Sequence, residues 1–477
     1  MNAGFVIRAS DFAAVFLLIY GLKRMASPAT ARSGIIVAGV AMLVATLVSF
    51  LYALQVPETV ATHLSINTLI AAIALVAGMS WAWWSGRTVA ITAMPQMVAL
   101  YNGMGGGAAA AIAAAELVAS GQRASTALGV TVLGALIGTA SLAGSLVAWA
   151  KLDGRITRPW RFRGQRFCNA ALLIIALAFG AALVASGAAA AAVIAPFFLA
   201  ALAFGVALTL PIGGADMPVV ISLFNAFTGL SVGLEGFVVG NPAIMIAGMV
   251  VGSAGTLLTL RMARAMNRSV ANVLLGNFGD ATSDSRGKIK GNLKPADAAD
   301  AAISMRYAAK LIIIPGYGLA AAQAQQRLYD FVKLLQAAGV DVKFAIHPVA
   351  GRMPGHMDVL LAEAGVPYDL ILDLDEANAE LPATDVALVI GANDVVNPAA
   401  RTEKSSPIYG MPILNADRAR QVYVVKRGQG RGYSGVDNEL FYAENCNMVY
   451  GDAQAVLAAM IQAVRELEPQ DGLPKAA

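Results

Sequence analysis

Gly316, Gly318 and Ala321 stand in the stretch IIIPGYGLAAAQAQ, a glycine-spaced turn that follows an apolar, strand-like run and opens a helix-forming segment. Glycines there permit a sharp reversal and close approach of backbone to a pyrophosphate, and a helix amino terminus favours anionic oxygens. The pattern points to a bound dinucleotide. The second strand of the region ends in HPVAGR, with no Asp or Glu to accept hydrogen bonds from a ribose 2′-hydroxyl. A nearby Arg suits a 2′-phosphate instead, which favours NADP over NAD. Two basic sets could hold that phosphate: Arg352, or Lys426 with Arg427 in VVKRGQGRGY. A dehydrogenase that oxidises a hydroxyl must also move a proton, and Tyr307 and Lys310 have the wrong spacing for a Tyr-x-x-x-Lys pair. Hydride passed directly between two nicotinamide rings needs no such acid, and positioning is then the protein's main contribution.

The elements that must position these residues form two contrasting halves. Of 477 residues, 57% are hydrophobic and 13% charged, far from ordinary soluble composition. Before residue 291 the chain carries 18 Lys+Arg against 8 Asp+Glu, and after it 16 against 22. A membrane half is therefore joined to an acidic soluble half, with expected divisions at 1–262, a linker at 263–290, and 291–477. In the soluble half, strands are expected over 310–314, 341–346, 369–372, 386–390, 421–425 and 448–450, with helices over 320–338, 355–364 and 453–468. This alternation implies a Rossmann-like α/β domain with a parallel, doubly wound sheet. Cys168 and Cys446 lie far apart without a CxxC or Cys/His pattern, so neither a disulfide framework nor a metal site is expected.

A spanning helix needs about 20 mostly apolar residues. Nine stretches qualify: 4–23, 34–54, 63–84, 88–115, 124–150, 168–186, 188–210, 216–236 and 241–261. With the amino terminus outside, 13 Lys and Arg flank the cytoplasmic ends, against Arg8 and Arg123 outside. The positive-inside rule thus sets the orientation, and an odd number of spans leaves the soluble half in the cytoplasm. Small-xxx-small spacing at Gly134 and Gly138, and at Gly248 and Gly252, suits close helix packing. Among the polar residues inside apolar spans, the most informative are Asn102, Ser145, Asp216 and Asn225. Such groups are either interhelical hydrogen bonds or markers of an ion or proton route. On three helices together, they favour a narrow polar path.

Several long motifs, among them PGYGLAAAQAQ, HPVAGRMPGHMDVLLAEAGVPYD, VIGANDVVNPAA, VVKRGQGRGYSGV and GGADMPVVISLFNAFTG, closely resemble the beta subunit of proton-translocating NAD(P) transhydrogenases. The resemblance covers the whole chain. It implies hydride transfer between NAD(H) on a separate alpha subunit and NADP(H) on this chain, coupled to proton movement. It also implies an alpha2beta2 hetero-oligomer in a bacterial cell inner membrane. In that family the cofactor lies reversed relative to the usual Rossmann orientation, which assigns the 2′-phosphate to Lys426 and Arg427. Gly428, Gln429, Gly430, Arg431, Gly432 and Tyr433 then resemble the start of a lid over the cofactor. Carried over by position, the resemblance lines the site with Tyr317, Val349, Ala350, Gly351, Arg352, Met353, Pro354, Gly391, Ala392, Asn393, Asp394, Val395, Gly410, Met411, Asp452 and Ala453. Asp394 matches a carboxylate implicated in coupling protonation to cofactor affinity. Where some members carry an intramembrane histidine, this chain has Asn102, which takes up no proton at ordinary pH. The resemblance then leaves the proton to a histidine of the alpha subunit, with Asn102, Ser145 and Asn225 holding water. An ion channel or transporter with a regulatory nucleotide domain is the other class considered, but neither a selectivity-filter loop nor broken inverted repeats can be seen in the sequence.

Overall fold

The structure, a computed structural model, describes residues 3–52, 64–90, 93–119, 125–156, 160–186, 191–213, 216–267, 269–275, 291–352, 355–404, 406, 408–428, 432 and 434–467. Two compact units result: Met1–Ile212 with Val220–Leu258, and Gly213–Val219 with Thr259–Ala477.

Nine helices among the described residues are long and apolar enough to cross a membrane. They are α1 (Ala3–Met25), α2 (Pro28–Tyr52), α3 (Leu64–Thr88), α4 (Met94–Ala119), α5 (Ser125–Leu152), α6 (Gln165–Ser186), α7 (Ala191–Thr209), α8 (Met217–Val239) and α9 (Pro242–Ala265). The fourth begins at Met94 rather than near 88, because Pro95 fits the first turn of a helix but not its interior. α5 buries most of its length, whereas α3 has no buried residue. Glycines let the helices approach backbone to backbone. A Cβ on Gly138 would lie 2.8 Å from the Gly106 carbonyl oxygen, and one on Gly248 would meet the backbone of Gly233. Packing of this kind replaces the hydrophobic drive that lipid removes.

The second unit contains α10 (Val270–Leu275), α11 (Ala298–Arg306), β1 (Lys310–Pro315), α12 (Tyr317–Ala321), α13 (Gln325–Ala337), β2 (Asp341–Ala345), α14 (His356–Glu363), β3 (Ile371–Leu372), α15 (Leu374–Glu380), β4 (Val386–Ile390), α16 (Ala399–Thr402), β5 (Gln421–Lys426), β6 (Cys446–Tyr450) and α17 (Ala453–Glu466). The six strands form one parallel sheet in the order β3-β2-β1-β4-β5-β6. β1 and β4 are near-continuous Ile, Leu and Val because helices cover both faces of a parallel sheet. The order reverses between β1 and β4, and ligands of such sheets bind outside the strand ends at that reversal.

The helix expected over 320–338 is two helices. Gln323 adopts a left-handed φ of 51° between them. Its carbonyl accepts a 2.7 Å hydrogen bond from Gln454 Nε2, at the start of α17. A long-range contact thus holds a break that local helix propensity would not place there.

Backbones crowd closely where the turns after β1 and β4 cross. Gly316 N donates to Ile390 O and Gly318 N to Gly391 O, both at 2.9 Å. A Cβ on Gly318 would lie 2.6 Å from the Gly391 Cα, and one on Gly391, where φ is +75°, would meet Leu319 N. Gly391→Ala should therefore combine left-handed strain of about 1–2 kcal/mol with overpacking of about 1–3 kcal/mol. Gly339, at φ +87° with nothing within 4 Å of a built Cβ, carries only the strain. Denaturant unfolding of the solubilised protein should show Gly391→Ala losing clearly more stability than Gly339→Ala; equal losses would contradict this account of the crossing.

Candidate functional site

Segments after β1, β2, β4, β5 and β6 lie at the carboxyl edge of the parallel sheet, and the expected nucleotide residues fall on them. Gly316 caps α12 in an extended conformation (φ −141°), and Tyr317, Gly318 and Ala321 form that short helix. On the β2 side, the Arg352 guanidinium lies 4.2 Å above the Tyr317 ring. The loop carrying Val349, Ala350, Gly351 and Arg352 is held by two histidines. His347 Nδ1 accepts from Val349 N, so its Nε2 donates to the Pro412 carbonyl at 2.7 Å. His356 Nδ1 accepts from Arg352 N at 3.1 Å. Gly351 has φ +108°, and a Cβ there would lie 2.7 Å from the His356 ring. Burial holds the His347 pKa down to about 4, with the Pro412 hydrogen bond opposing. Burial lowers the His356 pKa as well, helped by the charge of Arg352. Both histidines are therefore neutral loop fasteners. Met353 and Pro354 lie outside the described residues.

On the β4 side, Asp394 accepts from Ser434 twice, from its hydroxyl at 2.7 Å and its amide at 2.9 Å. Asn438 Nδ2 donates to both oxygens of Asn393 at 3.0 Å. These bonds fix the segment after β5 against the end of β4. Lys426 ends β5 half-buried, its ammonium 4.6 Å over the Phe441 ring. Burial lowers its pKa, and the carboxylates of Asp394 and Asp437 partly restore it. It forms no ion pair among the described residues. Arg427 beside it is exposed. Lys426, Gly428, Asn393 and Asn438 line one pocket with Phe441 and Tyr450. Gln429, Gly430, Arg431 and Tyr433 lie outside the described residues, and Gly432 packs against Asp394 Oδ1. Asp452 caps α17 through Gln454 N, with Ala453 buried behind it. Ala392 and Val395 are buried in the sheet's core, and Met411 in a cluster with Ile408 and Ile413, so these three offer a ligand backbone rather than side chain. Gly410 has φ +76°, and its amide donates to Ala400 O.

The donor set would fit NADP(H): a half-buried cation with no ion pair among the described residues, a second cation beside it, and backbone packed where side chains would intrude. Sequence reasoning missed Ser434, Asn438 and the two histidine fasteners. For Ser434 a signal was present, since it directly follows the glycine-rich run.

In the membrane unit, Asn102 Nδ2 donates to Ser145 Oγ at 3.0 Å, joining α4 to α5. The contact from α8 comes from Thr228, whose hydroxyl bonds Asn102 O at 3.4 Å and Ser141 Oγ at 2.6 Å. Ser141 also donates to Phe224 O at 3.0 Å. Asn225 is half-buried and makes no side-chain hydrogen bond among the described residues. Asp216 is buried in the turn before α8 and belongs to the other compact unit. Among the described residues Asn225 thus joins Asn102 and Ser145 by no side-chain hydrogen bond. Asn102 and Ser145 meet, and Ser141 and Thr228, unremarked in the sequence, complete their cluster.

Residues 7–463 match the family model described as NAD(P) transhydrogenase beta subunit. Two Rhodospirillum rubrum sequences, one from a named strain, are each called NAD(P) transhydrogenase subunit beta. Each is 41% identical over 471 residues, which is 96% of this chain and 98% of the relative.

The His347 fastener gives a pH signature. Unfolded, a histidine titrates near 6.5; folded, His347 stays neutral down to about 4. Above pH 6.5 neither state binds the proton. Between 6.5 and 4 only the unfolded chain does, so stability is lost as pH falls through this window, by about 3 kcal/mol in all. Melting curves from pH 7.5 to 4.5 should show this slope in the wild type and a flatter one in His347→Gln; parallel slopes would contradict it.

Proposed function

Because this chain belongs to the NAD(P) transhydrogenase beta subunit family, we propose that it holds NADP(H) at the carboxyl edge of its parallel sheet and couples hydride exchange to proton movement. The chain is a membrane-bound subunit of a transhydrogenase enzyme, with an alpha subunit as partner. Membership in the family does not favour a channel with a regulatory domain. NAD(H) is assigned to the alpha subunit, in an alpha2beta2 assembly seated in lipid of a bacterial inner membrane, with the amino terminus outside and the nucleotide unit in the cytoplasm. Residues 1–262 would form the proton-translocating domain, 263–290 the linker and 291–477 the nucleotide domain. Residues 276–290 of that linker lie outside the described residues. α3, which buries none of its residues within the chain, is an apolar surface for lipid or partner helices.

The observation that carries the cofactor assignment is Lys426, a half-buried cation without an ion pair among the described residues, one strand from the reversal of strand order. With Arg427 it would hold the 2′-phosphate that distinguishes NADP from NAD. Asp394 would sense that occupancy, being hydrogen-bonded to Ser434 and electrostatically linked to Lys426. Arg352, fixed over Tyr317, would lie on the other side of the cofactor. The bound cofactor supplies the hydride; the chain's part is to orient the ring and exclude water.

Co-expression with the alpha subunit in sealed vesicles tests the whole reading. NADPH-dependent reduction of an NAD analogue should be accompanied by acidification of the lumen, whereas hydride transfer without proton flux would overturn the pump assignment. A change from Asn225 to Leu tests the water-holding role assigned to it: coupled turnover should be lost with NADP binding intact, and unchanged coupling rejects that role. For selectivity, Lys426→Gln should remove a charge-assisted contact of about 1.5–3 kcal/mol, weakening NADPH binding roughly tenfold to a hundredfold. NADH binding should hardly change, and calorimetric titration would show it. A larger loss in Arg352→Gln than in Lys426→Gln would move the 2′-phosphate to the other flank.

A further inference from the structure

Glu235 lies on α8, 1% exposed, and neither of its carboxyl oxygens has a hydrogen-bond partner among the described residues. One of them rests against Gly134 of α5, where any Cβ would collide with it. An acid in a spanning helix is costly and tends to mark an ion or proton route. From Gly134 a line of polar contacts follows one face of α5. Ser231 Oγ donates to Gly134 O at 2.7 Å and sits over Gly138. Ser141 bonds Thr228, and Ser145 accepts from Asn102. Gly134, Gly138, Ser141 and Ser145 recur at helical spacing, so the line covers about 16 Å at 1.5 Å per residue. Hydroxyls and amides can pass or order protons, but none of these groups titrates at ordinary pH.

We propose that Glu235 is the proton-binding group of the membrane unit, receiving the proton at one end of the α5 seam. This rests on the proton-pumping reading above. The carboxylate takes a proton from water, becomes a neutral carboxyl, and returns the proton to water on the seam side, so no other reactant is consumed. Among the described residues the charged group acting on it is Glu116 of α4, near the matching end of that helix. α5 carries its one charged residue, Lys151, at the opposite end, and the charged residues of α9, Arg261 and Arg264, lie at its far end from Asn241. Gly134 leaves the room that the Glu235 carboxyl occupies. In the proposed orientation both acids lie toward the outer side, where protons enter.

The test uses the complete alpha–beta complex in sealed vesicles. Glu235→Gln keeps the shape and removes the titration. Proton-coupled turnover should fall by about a hundredfold or more, in the range of a lost proton-transfer group. Hydride exchange between nucleotides in detergent-solubilised complex should stay within twofold. Glu235→Asp should recover part of the coupling with a shifted pH profile. If Glu235→Gln fails to assemble, Glu235→Asp decides alone, and an unshifted profile overturns the proposal. Full coupling in Glu235→Gln also overturns it. Wild-type vesicles that never acidify would instead contradict the pump reading. In that case, the infrared carbonyl band of a protonated carboxyl decides whether Glu235 binds a proton: present in wild type and missing in Glu235→Gln supports it, and an identical spectrum overturns it.

Discussion

Inside a bundle that spans lipid, a polar side chain has to be satisfied by the protein itself, through its own helix or a neighbouring one, because hydrocarbon offers neither donor nor acceptor. That constraint organises the membrane unit. Asn102 finds Ser145, Thr228 finds Ser141, and Ser231 finds a carbonyl of α5. Together these contacts need α4 and α8 close against α5, and glycines make this possible by letting one helix backbone rest on the next. The seam and the close packing are thus one feature seen twice. Glu235 breaks the rule, and a broken rule in a membrane interior is where chemistry is expected.

In the nucleotide unit the corresponding constraint is the crossing of two turns. Gly316, Gly318 and Gly391 are packed against one another's backbone, which locks β1 to β4 at the point where strand order reverses. Cations are then left on both flanks, Arg352 against Tyr317 and Lys426 against Phe441. Hydride exchange between two nicotinamides is nearly isoenergetic, so an outside driving force acts only if protonation changes how tightly the enzyme holds a nucleotide, and the reverse. Asp394 is suited to such a role because it is linked to both the Ser434 segment and Lys426.

The spans and the sheet were legible because they depend on patterns that repeat along the chain: long apolar runs, and short β-branched strands between helices. The switch-point turn was legible for the same reason, with glycines between a strand and a helix. What stayed hidden depended on contacts between distant residues. Nothing local shows that Gln323 would be held left-handed by Gln454 and split the expected helix. Asn225 reads as the polar residue of α8, yet Thr228, about one turn further, is the one that faces Asn102, because the sequence does not reveal which face of α8 meets α4. Met411 reads as a site residue by position and lies in a hydrophobic cluster. Glu116 and Glu235 stand as acids in apolar runs and were passed over, because their electrostatic link depends on how the helices pack.

The central claim is that the membrane potential reaches the nucleotide equilibrium through this chain. Its most direct test is the ratio of NADPH to NADP at equilibrium with a fixed NADH to NAD ratio, in sealed vesicles of the alpha–beta complex under an imposed voltage. One proton moved across about 100 mV supplies about 2.3 kcal/mol, which should displace the ratio by about fiftyfold and reverse with the sign of the voltage. A ratio that ignores the voltage while hydride exchange proceeds would contradict the account.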